Sequence, residues 1–145
     1  MARRLFTIGY EGATQSDFIA ALAAAGVERV IDVRAIAASR RPGFSKTILA
    51  TSLAEHGIAY VHLRALGTPA AGREAARAGR IDDLRRIYAA QLELPEALVA
   101  AEQLKALATE APSALLCYER APEECHRSLL HATVLPDWER IDLFA

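Results

Sequence analysis

The segment Cys117-Tyr118-Glu119-Arg120 followed by Cys125-His126-Arg127 concentrates thiol, carboxyl, imidazole and guanidinium groups within a few turns of chain. Such side chains serve as nucleophile, proton donor or acceptor, and anion ligand. Cys125, His126 and Glu119 are therefore the candidates for a catalytic role. Pro122 suits the first position of a helix, which puts Cys125 near the end of its first turn. The helix dipole favours a thiolate there. Glu123 and Glu124 already answer that dipole and would repel a thiolate. The stripe Cys125, Leu129, Ala132 equally fits a buried thiol of near-normal pKa. His126 aligns with Leu130, so a packed, hydrogen-bonded histidine stands beside the acid or base reading. Arg127 points elsewhere and either reaches back to a strand-end carboxylate such as Glu119 or binds a ligand.

Several known chemistries do not match this spacing. A phosphatase loop needs glycine-rich backbone between its cysteine and arginine, and no glycine lies between Cys117 and Arg127. Cys117, Cys125 and His126 lack a fourth ligand and follow no structural zinc pattern, so no metal is expected. No glycine-rich nucleotide loop is present, and no cofactor is expected.

A second cluster is Ile31-Asp32-Val33-Arg34. Asp32 lies in what reads as a buried strand, where an unpaired carboxylate is costly, so it requires a partner. Arg34 is two residues on and shares its face. It or the backbone amides of the next loop can serve. Arg34 also lies at the mouth of the sheet, where an anion-binding role is expected.

The charge distribution supports an anion site. Net charge is −1, yet residues 33–80 hold eight basic side chains (Arg34, Arg40, Arg41, Lys46, Arg64, Arg73, Arg77, Arg80) against Glu55 and Glu74. That segment is +6 and the remainder −7. The asymmetry predicts a basic face, or simply a solvated one.

The elements that must position these residues follow from pattern. Leu5–Tyr10 reads as a strand, and Thr14 with Asp17 resembles a capping box opening a helix that Gly26 ends. Phe18, Ile19, Leu22 and Ala25 lie on its buried face. Val30–Arg34 is the second strand, so the opening is a βαβ unit with parallel strands. Residues 35–45 form an irregular loop, Ser45 caps a helix to about His56, and Ile58–Leu63 is the third strand. Residues 64–95 carry one or two amphipathic helices, with Leu84, Ile87, Tyr88 and Leu92 on one face. Pro95 begins another, with Leu98, Leu104 and Leu107 on its stripe. Ala114–Tyr118 is the fourth strand, Pro122 opens a helix through about Thr133, and Ile141 with Leu143 suggests an edge strand. The whole reads as one α/β domain over residues 1–145: a doubly wound, mainly parallel sheet with helices on both faces. Ligands bind such sheets outside the carboxyl ends of the strands, at a switch in strand order.

Composition agrees with this. The chain has 145 residues, 52% hydrophobic and 24% charged, which suits one globular domain rather than a disordered chain. Met1-Ala2-Arg3-Arg4 mimics the start of a signal peptide, but the apolar run after it is too short. No stretch approaches the roughly 18 apolar residues of a membrane helix, so no membrane association is expected. Two cysteines make no disulfide framework and point to the cytoplasm.

Five blocks in order resemble one family, the "domain of unknown function 488". They are Thr7-Ile8-Gly9-Tyr10-Glu11-Gly12; Ile31-Asp32-Val33-Arg34; Ser39-Arg40-Arg41-Pro42-Gly43-Phe44-Ser45-Lys46; Tyr60-Val61-His62-Leu63 with Leu66-Gly67-Thr68-Pro69; and Leu115 to Arg120 with Cys125-His126-Arg127. The likeness spans about residues 5–135. It implies a compact α/β domain whose motif residues gather at the strand ends. The chain departs from the family pattern at Ile36-Ala37, where Asn-Pro is common, and at Gly72, where leucine is usual.

The expected ligand-binding set is Tyr10, Arg34, Ser39, Arg40, Phe44 and Arg127. Arg34, Arg40, Arg41, Lys46 and Arg73 are expected to converge on one edge beside exposed Tyr10 and Phe44, which would stack a base. The expected partner is a phosphate-bearing small molecule or nucleic acid. A thiol enzyme or redox protein using Cys125, with Cys117 as resolving partner, and a non-catalytic interaction module are the alternatives.

Overall fold

The computed structural model describes residues 3–121 and 126–145. Five strands form one parallel sheet: β1 (Arg4–Gly9), β2 (Arg29–Asp32), β3 (Ala59–His62), β4 (Ser113–Cys117) and β5 (Glu139–Leu143), in the order β3-β2-β4-β1-β5. The helices are α1 (Gln15–Ala24), α2 (Lys46–Glu55), α3 (Ala70–Arg77), α4 (Ile81–Gln91), α5 (Pro95–Glu110) and α6 (Arg127–Val134). Among the described residues, a 3-10 turn covers Arg64–Leu66.

Side-chain alternation divides the interior into two layers. Phe6, Ile8, Val30, Ala114 and Leu116 pack with α1 and α2 on one face. Leu5, Ile31, Val33 and Leu115 pack with α4, α5 and α6 on the other. The sheet is thus wound on both sides, as the sequence predicts.

Local signals act where expected. The Thr14 hydroxyl accepts from the Asp17 amide at 3.1 Å, and Gly26 adopts φ +75° just past α1. Two expectations need correction. Ser45 precedes α2, but its hydroxyl donates to the Ser39 carbonyl at 3.2 Å instead of capping the helix. Leu98 is 55% exposed, because α5 buries the stripe Ala97, Ala100, Leu104 and Ala108. The expected helix opening at Pro122 falls on residues 122–125, which lie outside the described residues; the described helix is Arg127–Val134.

The strand order opens a crevice at the strand ends. The chain leaves β1 through α1 toward β2 and β3, then returns to lay β4 between β2 and β1. From β4 it leaves through α6 in the other direction, to β5. Beyond the neighbouring carboxyl ends of β2 and β4 the connections diverge, β2 through α2 to β3 and β4 through α6 to β5, which opens a crevice.

Candidate functional site

A cavity of about 870 Å³ lies in that crevice. Tyr10 and Glu11 after β1, Arg34, Ala35, Ile36 and Ala38 after β2, and Cys117 to Glu119 at the end of β4 supply one side, with His126 before α6. Thr68, Arg73, Ala76, Arg77 and the turn to Ile81 supply the other.

The Asp32 cluster is closed on itself. Arg34 Nε donates to Asp32 Oδ1 at 2.9 Å and Nη2 donates to Oδ2 at 2.7 Å. Nη1 donates to the Phe44 carbonyl at 2.7 Å, and the Tyr60 hydroxyl donates to Asp32 Oδ2. Asp32 is fully buried and Arg34 nearly so. Burial works against the Arg34 charge, but Asp32 more than offsets it and the pKa is raised. Tyr60 is held protonated by burial and by the same carboxylate. His62 Nε2 lies 2.7 Å from the Arg34 carbonyl and joins β3 to this loop. Asp32 therefore has the partner its burial demands, and Arg34 reaches the cavity wall with its charge answered.

The aromatic pair is also internal. Tyr10 and Phe44 stack at 4.5 Å between centroids, and both are buried. This corrects the expected exposed stacking platform: Phe44 fills the core between Tyr10 and Phe18. The exposed ring at the cavity is Tyr118, edge-on to Tyr10 at 5.4 Å. Arg40, Arg41 and Lys46 do not line the cavity. Arg41 Nε donates to the Ala13 carbonyl, and Ser39 binds Ser45 and the Arg41 amide. The Ser39 to Ser45 loop is thus folded on itself, because its polar groups satisfy one another, and the expected convergence of these cations does not occur.

The β4 end differs. Gly9 is what lets its loop approach β1: a Cβ there would lie 1.7 Å from the Glu119 carbonyl oxygen. The fully buried Arg127 donates through Nη2 to that carbonyl at 2.5 Å and to the Arg120 carbonyl at 3.3 Å. Arg127 thus reaches Glu119 through its backbone, leaving the carboxyl to turn elsewhere. The Cys117 thiol donates to Glu119 Oε2 at 3.5 Å. Burial pushes the Glu119 carboxyl up, restrained by its own backbone amide, by Cys117 and by the Arg127 charge. A carboxyl so placed is suited to exchanging a proton nearer neutrality than an ordinary glutamate.

His126 Nε2 lies 2.6 Å from the Val33 carbonyl, so that nitrogen carries the proton and Nδ1 keeps a lone pair. Burial above all, together with the nearby Arg127 charge, lowers the pKa to about 4. The ring is neutral at physiological pH and packs against Tyr88.

Arg73 and Arg77 are the cations that face this acid side, one helical turn apart on α3. Arg73 Nη1 donates to the Thr68 carbonyl at 2.8 Å. Among the described residues neither has a carboxylate within ion-pair distance. Arg77 did not stand out among the site candidates in the sequence; the i, i+4 arginine pair was the signal available. No cluster of three or more His, Cys, Asp or Glu side chains suited to a metal occurs among the described residues. No helix of the described residues is long and apolar enough to cross a membrane.

The fold and crevice define a doubly wound α/β protein with a pocket at its topological switch point. The chain belongs to the family described as domain of unknown function DUF488, whose match covers residues 14–134. No curated protein and no solved structure matches it.

Proposed function

We propose that the crevice binds a small phosphate-bearing ligand through Arg73 and Arg77, with Glu119 as the group that exchanges a proton with it. The observation carrying this reading is that two arginines without ion-pair partners share a cavity with a carboxyl of raised pKa. Charge-assisted hydrogen bonds from guanidinium groups are the usual means of holding phosphate. His126, neutral and fixed by Val33, offers an acceptor on the same cavity as Glu119. Ile36 and Tyr118 are exposed at the same cavity and supply apolar contact for the rest of the ligand.

A small molecule fits better than a nucleic acid, since Arg40 and Lys46 lie away from the cavity and Tyr10 and Phe44 are buried. Thiol chemistry at Cys117 is disfavoured, because the adjacent Glu119 carboxyl opposes a thiolate. The cysteine content supports a reducing, cytoplasmic setting.

Calorimetric titration with p-nitrophenyl phosphate tests the reading. Arg73→Ala and Arg77→Ala should each weaken binding about tenfold, the loss of one charge-assisted hydrogen bond, with the domain still folded. Affinity that survives both substitutions would remove the phosphate site and favour a non-catalytic interaction module.

A further inference from the structure

A second cavity, of about 580 Å³, adjoins the first. Ala35, Ile36, Thr68 and Arg73 line both, while Arg64 and Gln91 line only the second. The segments that line them meet at one close approach. A Cβ on Gly67 would lie 2.3 Å from the Ala35 backbone nitrogen, so only glycine lets the turn after Arg64 rest against the loop after β2. Arg73 stands at the junction, tied to the Thr68 carbonyl. Arg77 lies on one side of it and Arg64 on the other. Ile36, 59% exposed, borders both spaces.

We propose that the two cavities form one site for a ligand whose phosphate is internal, a phosphodiester, with Arg73 on the phosphate and one substituent in each cavity. This rests on the phosphate-site reading above and specifies its ligand class. A terminal phosphate monoester has a substituent on one side only and would leave the second cavity unfilled. A diester carries a single charge, matched by the one cation that both cavities share.

The test compares p-nitrophenyl phosphate with bis(p-nitrophenyl) phosphate on the full chain, read from amide NMR shifts. Both probes should shift the amides of Arg73 and Arg77, and only the diester should shift Arg64 and Gly67. The diester should bind about tenfold more tightly despite its lower charge, because it buries a second ring. Diester shifts confined to the first cavity, or weaker diester binding, would overturn this inference and leave the phosphate site standing. Absence of shifts at either cavity with both probes would overturn the two together.

Discussion

The ends of β2 and β4 carry similar residue types and put them to opposite uses. At β2, Asp32 and Arg34 meet carboxylate to guanidinium, buried, with Tyr60 and the Phe44 carbonyl completing the set. At β4, Arg127 donates to the Glu119 and Arg120 carbonyls, and the Glu119 carboxyl meets a thiol at the cavity. An acid and an arginine near a strand end thus make a structural lock when their charged ends pair. They make a poised acid when the arginine binds backbone instead.

This contrast predicts its largest effect at the lock. Arg34→Ala leaves Asp32 buried without its ion-pair partner and should cost about 3–5 kcal/mol in urea unfolding. A loss under 1 kcal/mol, small for a broken buried pair, would mean the pair is not closed in solution.

The next effect is a pH dependence at the β4 end. His126 has a folded pKa of about 4, below its ordinary 6.5. The unfolded chain therefore takes up the proton first, and stability falls as pH drops through that window, by about 3 kcal/mol at most. Glu119 acts with the opposite sign, since its raised pKa favours the fold on acidification. The acid loss should flatten in His126→Gln, measured by unfolding at a series of pH values. An unchanged acid limb in that variant would contradict a buried neutral ring.

Gly9→Ala should cost about 1–3 kcal/mol by overpacking, since its methyl must displace the Glu119 backbone. Unlike the Arg34 variant, it should also move the Glu119 titration toward that of an exposed glutamate. Stability lost with the titration unmoved would show that Gly9 does not position this carboxyl. The smallest effect belongs to Arg40→Ala, which is exposed and outside the cavity. It should change stability by less than about 0.5 kcal/mol and leave phosphate binding intact. Weakened binding would restore the basic loop as part of the site.

Much of this frame is legible in the residues. The βαβ opening, the apolar run at β4 and the need of Asp32 for a partner follow from periodicity and the cost of burying charge. Those features place the site at the strand ends. Other parts depend on distant packing. The sequence shows Tyr10 at a strand end and Phe44 in a loop, but the burial of Phe44 depends on α1 bringing Phe18 against it. Ser45 has the residue type of a cap, yet the neighbouring loop takes its hydroxyl. The split of residues 64–95 into α3 and α4 turns on Gly79 at φ +75°. That split puts Arg73 and Arg77 on the cavity wall. Net charge counted along the chain could not distinguish these arginines from Arg40 and Lys46, because only the folded loop separates them.

The most direct test of the contrast is a crystal structure of the chain grown with phenyl phosphate. Phosphate density between Arg73 and Arg77, with the Asp32–Arg34 pair undisturbed, is the result predicted. Phosphate bound by Arg34, or on the Arg40 to Lys46 loop, would contradict the assignment of lock and site.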